Sequence, residues 1–219
     1  MTDRQLTTSA YLTLGLLTSR DWSAYQLAEQ VGRGVDHLWP RAARQRYITP
    51  KQLLEEGLVT ARAEPSGRRT RTIYSITPEG REELAHWLST ESRPPALEFE
   101  GMIRVLLADE GSIEDLRANL LTMRRQSVAA RGLFADHAAF IASTGGTFPE
   151  RKHLFALANR YMIGHYDHII QWVDWSLEQI ASWPDTVTPA TDNEAQVAEM
   201  LAPSVAARAA EADTGSQNP

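Results

Sequence analysis

Eight basic side chains, Arg41, Arg44, Arg46, Lys51, Arg62, Arg68, Arg69 and Arg71, stand between positions 41 and 72, against three acidic ones, Glu55, Glu56 and Glu64. Cations at that density are suited to phosphate oxygens, and the guanidinium fork also matches the edge of a guanine. Tyr47, within the same run, can touch a nucleic-acid backbone or a base; the plainer reading of the run is a solvated basic face with a packed tyrosine. A second set of residues invites metal chemistry: His165, Asp167 and His168. Histidines at i and i+3 share a helix face, but two ligands do not make a site, Asp167 falls on another face and no third ligand is evident. They are read as packing or surface histidines, with no metal and no cofactor. Phe155, Tyr161, Tyr166, Trp172 and Trp175 have two readings, the lining of a pocket for a small aromatic effector or plain helix–helix core. No glycine-rich phosphate loop, Gly-x-Ser-x-Gly elbow or His-Glu-x-x-His pair occurs, so no enzymatic activity is expected.

The elements that must position these residues follow from periodicity and punctuation. Leu6, Ala10, Leu14 and Leu17 recur on one helical face. Ser23 and Gln26 have capping-box spacing for a second helix that Gly32 and Gly34 break. A third helical stretch, the basic one, begins after Trp39-Pro40 and ends near Glu56, with Gly57 as a left-handed stop. Pro50 lies inside it. Either the helix kinks near Tyr47, or Thr49 caps a separate short helix with Pro50 in its first turn and Gln52 completing a capping box. Two strand-like segments, 58–64 and 72–76, flank the turn-forming tip Pro65-Ser66-Gly67-Arg68-Arg69. Thr77-Pro78 then opens a helix with Leu84, Trp87 and Leu88 on one side. Helices, hairpin and helix in this order spell a winged helix-turn-helix over residues 1–90.

Ser92-Arg93-Pro94-Pro95 is the clearest linker, because paired prolines cannot continue a helix. Beyond it the chain reads as helical over 91–183: a short apolar helix from Phe99 to Ala108, a long one capped by Ser112 with Asp115, a turn at Gly145-Gly146, and another from Glu150 to Ile180. That last helix carries Leu154, Leu157, Tyr161, His165, His168, Trp172 and Trp175 in a wide stripe. A hairpin of two long helices cannot bury both faces on itself, so a second copy of the chain is the expected partner. Residues 184–219 hold no aromatic side chain and one basic residue, Arg208, and are expected to be mostly disordered, with a weak helix over 194–210 as the alternative.

Charge supports this division. The whole chain carries a net charge of −6, yet residues 1–90 hold 12 Lys and Arg against 10 Asp and Glu, while 91–219 hold 10 against 18. The basic half suits a polyanion and the acidic half avoids one, so the expected partner is double-stranded DNA. No cysteine is present and no apolar run approaches the roughly 18 residues that cross a bilayer, which points to a cytoplasmic protein with no membrane partner.

With these elements in place the sequence resembles the PadR family of bacterial transcriptional regulators. Ser23-Ala24-Tyr25-Gln26-Leu27 is similar to the family's Gly-Tyr-Glu-Leu segment, with alanine for glycine. Trp39-Pro40, Tyr47, Leu53, Glu56, Gly57, Leu58 and Val59 fall on its recognition-helix pattern, and the run from Gly67 to Gly80 is similar to its stretch ending Tyr-x-x-Thr-x-x-Gly. Phe99-Glu100, Leu106-Leu107-Ala108-Asp109 and the segment 166–178 with Trp172 resemble the longer-chain members. Arg46 and Pro50 depart from the family's usual isoleucine and leucine. The resemblance implies a mainly α protein whose C-terminal helices form a homodimer, and a repressor that binds an inverted-repeat operator and answers in some members to small aromatic or cationic ligands. A winged-helix protein-interaction module and a small-molecule sensor with little DNA binding are the alternatives.

Overall fold

The computed structural model of the protein describes residues 6–32, 35–39, 49–67 and 69–215, and for residues 66, 69 and 208–215 the backbone alone. The chain divides into two compact units, Met1–Pro95 and Ala96–Pro219. Among the described residues no helix is long and apolar enough to cross a membrane.

In the first unit, helix α1 (Thr8–Leu17) starts where the Thr7 hydroxyl accepts the Ala10 N–H, and it buries Ala10, Tyr11, Leu14 and Leu17, the face its spacing predicts. Strand β1 (Trp22–Ser23) leads directly into α2 (Ala24–Gly32). The capping box forms: Ser23 Oγ accepts the Gln26 N–H at 3.2 Å, and Gln26 Oε1 accepts the Ser23 N–H at 2.9 Å. A short helix α3 (Val35–Leu38) follows, and α4 (Thr49–Glu55) carries Pro50 in its first turn, where a missing N–H costs nothing. Residues 40–48, on which a kink near Tyr47 would fall, lie outside the described residues.

Strands β2 (Val59–Ser66) and β3 (Arg69–Ile76) pair antiparallel from Val59↔Ile76 out to Ser66↔Arg69, and β1 joins the other edge of β3, giving the order β1-β3-β2. Helix α5 (Pro78–Ser89) closes the unit, capped by the Thr77 hydroxyl. Trp87 stacks on Tyr11 at 4.5 Å between ring centroids, and the Tyr11 hydroxyl donates to Glu83 at 2.8 Å. Leu88, on the same side by spacing, is instead exposed.

The second unit is a helical hairpin with shorter elements at its open end. It contains α6 (Glu100–Leu106), α7 (Ile113–Thr144) and α8 (Lys152–Gln179), followed by α9 (Pro189–Asp192) and α10 (Glu194–Gly215). The expected Ser112–Asp115 capping box opens α7, and Gly145 at φ +83 ends it. Leu116, Leu120 and Met123 of α7 close on Ile169 and Val173 of α8 and on Ile180, with Phe99, Tyr166, Trp172 and Trp183 packed around them.

The expectation for residues 184–219 needs correcting where they are described, since α9 and α10 are helices. Their start is fastened to the end of α8. The Trp183 indole N–H donates to Gln196 Oε1 at 2.9 Å, the Gln196 amide donates to the Gln179 carbonyl at 3.1 Å, and Pro189 is buried. Alanine-rich segments have high helix propensity without any aromatic residue, and one well-placed glutamine suffices to dock them.

Candidate nucleic-acid interface

Among the described candidates, Lys51 is carried by α4 and Arg62 and Arg71 by the β2–β3 hairpin, and a compact joint locks these two elements together. At the end of α4, Gly57 at φ +73 lets its N–H reach the Leu54 carbonyl (3.0 Å) and the Leu58 N–H reach the Leu53 carbonyl (2.9 Å), a Schellman pair whose apolar partners Leu53 and Leu58 are both buried. The Leu58 carbonyl then accepts the Thr77 N–H at 3.1 Å, and the Thr77 hydroxyl donates to the Gly57 carbonyl at 3.0 Å while accepting the Gly80 N–H. Gly80 leaves no room for a side chain, because a Cβ there would lie 2.2 Å from the Leu58 carbonyl oxygen. Tyr74 is buried beneath the strand. The run Tyr74-x-x-Thr77-x-x-Gly80 is thus a structural joint that fixes α4 against the hairpin.

On α4 the Lys51 side chain is exposed, opposite buried Thr49, Pro50 and Leu53. Arg41, Arg44, Arg46, Tyr47 and Arg68 lie outside the described residues, and Arg69 is described as backbone, pairing with Ser66 across the hairpin turn. Gly67 takes φ +59 at that turn. Beyond Ile73 the described hairpin side chains have no core beneath them and are mostly exposed.

The hairpin cations that are described are already paired. Arg71 Nη2 lies 2.5 Å from Glu64 Oε1, its cross-strand neighbour. Arg62 Nη1 lies 2.5 Å from Asp21 Oδ2, and its Nη2 lies 3.6 Å from Glu64. The Arg71 hydrogen bond holds the Glu64 carboxyl below its ordinary value, and hydrogen bonds from Ser75 and Arg62 do the same for Asp21. Asp21, Arg62, Glu64 and Arg71 therefore form an ion-pair ladder of no net charge on one side of the sheet. Sequence reasoning counted these charges without pairing them, because only the strand register, with Ser66 opposite Arg69, places Glu64 opposite Arg71.

The five aromatic candidates of the second unit spread along α8 rather than meeting in one place. Phe155 stacks on Phe148 at 5.8 Å, Tyr166 on Phe134 at 6.0 Å, and Trp172 packs against the core. Tyr161 and Trp175 are exposed. Burial raises the Tyr166 hydroxyl's pKa. Between Tyr161 and Tyr166, His165 contacts both rings, at 6.3 and 5.2 Å. Asp167 is an ion-pair partner of Arg131 at 2.5 Å.

Comparison with known proteins places this geometry. No family model matches the chain. Over 79 residues, 36% of this chain and 43% of the relative, it is 30% identical to the negative transcriptional regulator PadR of Bacillus subtilis (strain 168); the match spans less than half the length of that curated relative. Over far more of the chain, its fold is that of B. subtilis PadR solved in complex with operator DNA: TM-score 0.68 at 19% identity, covering 80% of this chain and 99% of the other. The fold is PadR-like. A further solved structure, smu.1604c from Streptococcus mutans UA159, has a TM-score of 0.70 at 17% identity, covering 78% of this chain and 99% of the other. PadR has also been solved with p-coumaric acid, at TM-score 0.62, 20% identity and coverage of 79% and 98%. The PadR-like fold is mainly helical, with a winged helix-turn-helix and a helical extension.

Proposed function

We propose that the protein is a transcriptional repressor that binds double-stranded DNA as a homodimer, reading an inverted-repeat operator with residues 41–51 and the basic hairpin tip. The observation that carries this reading is the joint from Gly57 to Gly80, which holds the helix that carries Lys51 and a projecting hairpin in one rigid relation, within a PadR-like fold. Such a pair can lay a helix in a major groove while the hairpin follows the adjoining backbone. Residues 1–90 serve as the DNA-binding domain, 91–183 as the dimerisation domain and 184–219 as an added tail. Repression is carried over from the negative regulator PadR, and relief by a small aromatic molecule from PadR's complex with p-coumaric acid.

Dimerisation is supported by large apolar side chains that the single chain leaves in water. Leu154, Leu157, Tyr161 and Trp175 recur along α8, Leu133 and Phe140 along α7, and Ile103 and Leu106 on α6. A second copy covers them at no polar cost. An effector that favours one arrangement of the dimer shifts the population away from the form that matches the operator's half-site spacing.

Selection of binding sites from a random duplex library, followed by titration of the winning site at several salt concentrations, tests the reading. An inverted-repeat site that binds two chains, and that Arg44→Ala with Tyr47→Ala weakens, is the expected result. A folded protein that enriches no sequence overturns it.

A further inference from the structure

Helix α10 is anchored at its start and bare beyond it. Gln196, Val197 and Met200 are half-buried on the side that the Gln196 bonds tie to the end of α8. Glu194, Ala198, Leu201 and Val205 share a different side and are exposed, as is every residue from Leu201 to Ala207. Pro203 lies within that bare stretch, where a missing N–H and a crowded carbonyl one turn back cost about 3 kcal/mol. A helical extension with an interior proline and nothing packed against it does not hold in water on its own strength, so the bare side calls for a cover.

Helix α7 carries a stripe of the same length and opposite charge. Arg117, Leu121, Arg125 and Val128 are exposed on a side other than the one that closes on α8 through Leu116, Leu120 and Met123. Both stripes run from i to i+11, about 17 Å of helix. Arg124 and Arg131 of α7 hold Asp174 and Asp167 of α8, and Arg104 holds Glu100. Arg117 and Arg125 hold no carboxylate among the described residues; Arg125 donates to Thr122 Oγ1 on its own helix at 3.2 Å. Two cations without a carboxylate, interleaved with two aliphatic side chains, complement the acidic and aliphatic side of α10.

We propose that α10 of each chain packs antiparallel on α7 of a second copy, Leu201 against Leu121, Val205 along the alkyl stem of Arg117 and Glu194 beside Arg125. Two-fold symmetry makes the contact twice. The inference rests on the homodimer of the proposed function and adds to it a tail contact separate from the apolar stripe of α8. Charge sets the register of the two helices, and the aliphatic side chains supply buried area.

Cross-linking of full-length chains tests the contact cleanly, because the chain has no cysteine of its own. A Leu121→Cys chain is mixed with a Leu201→Cys chain that bears a mass tag, and a short bis-maleimide is added. A covalent heterodimer from the mixture, with neither variant cross-linking alone, is the expected result. In sedimentation velocity, Arg125→Glu and Glu194→Arg should each weaken self-association about fivefold, and the two together in one chain should restore it. All four positions are exposed, so the variants keep the fold. A parent that sediments as a dimer while the mixture gives no heterodimer overturns the tail contact and leaves the homodimer standing; a monomeric parent overturns both. Cross-linking only within a chain that carries both cysteines assigns α10 to its own α7 and overturns the proposal, as does a charge exchange that restores nothing.

Discussion

Replacing Gly80 by alanine sets two physical effects of opposite sign against each other. Gly80 lies in the first turn of α5 without a left-handed backbone, so helix propensity alone makes alanine stabilising by about 1 kcal/mol. The joint predicts the reverse. The new Cβ would fall 2.2 Å from the Leu58 carbonyl oxygen and 3.0 Å from Ile76 Cγ1. A carbon normally approaches an oxygen no closer than about 3.3 Å, so one backbone must retreat by about 1 Å. Neither backbone is free to do so: the Leu58 carbonyl is tied to the Thr77 N–H, and Thr77 is tied to Gly57 and Gly80. Overpacking of this kind costs about 1–3 kcal/mol, and a lost backbone hydrogen bond adds about 1 kcal/mol. After the propensity gain, a net loss of about 2 kcal/mol remains, equivalent to about 10–15 °C in the melting midpoint of a unit of this size. Hydrogen exchange of the Leu58 and Thr77 amides reads the loss directly, with the α7–α8 core as an internal reference that stays unchanged. A Gly80→Ala protein as stable as the parent, or more so, would refute the close-approach argument.

Glu64→Gln removes the anion that occupies Arg71 and makes the hairpin more positive by one charge. Duplex affinity should rise by up to about fivefold at low salt, with a steeper salt dependence by about one counterion; a fall in affinity would mean that Glu64 instead orders Arg71 for its contact. Leu157→Glu, at a position 72% exposed in the single chain, should leave the fold intact and weaken self-association at least tenfold, read by sedimentation velocity; an unchanged dimer would move the interface off α8. The Asp115 carboxyl is held low by the Ser112 hydroxyl and N–H, and that of Asp185 by the Thr188 hydroxyl together with the Thr188 and Val187 N–H groups. Their folded values lie below the unfolded aspartate value of about 3.9, so their stabilisation is full above it and lost as pH falls through the folded values. Thermal midpoints of the helical unit should therefore drop as pH falls below about 4, and Asp115→Asn should flatten that drop.

What the sequence made legible was mostly punctuation. The Ser23–Gln26 and Ser112–Asp115 boxes, the Thr77-Pro78 start and the Gly57 and Gly145 stops each use side chains and backbone within a few residues of one another, so local spacing determines them. Pairings across the fold were harder to read. The ladder of Asp21, Arg62, Glu64 and Arg71 depends on strand register, and the Gln196 link depends on where α8 ends. Burial of α8's aromatic residues was similarly undetermined, because a stripe of 3- and 4-residue steps shows which side is apolar but not how much of it the same chain covers. Phe155 and Tyr166 are covered from within, whereas Tyr161 and Trp175 are not.

Part of the PadR resemblance lies in residues that hold the fold, although Tyr47 and the arginines of the Gly67–Gly80 run belong both to the resemblance and to the proposed DNA contacts. Tyr74, Thr77, Gly80, Gly57 and Leu58 are spent on one another, through hydrogen bonds between main chain and side chain and a backbone approach that only glycine permits. They set the relation between a helix and a hairpin. Lys51, exposed on α4, takes no part in the joint. Arg46 and Pro50 illustrate the separation: both depart from the family pattern, yet Pro50 is accommodated in the first turn of α4, where helix geometry accepts proline. Likeness to PadR is thus a likeness of fold. On the proposed reading, the operator would be set by this chain's own cations and is expected to differ from PadR's at the base pairs those cations face.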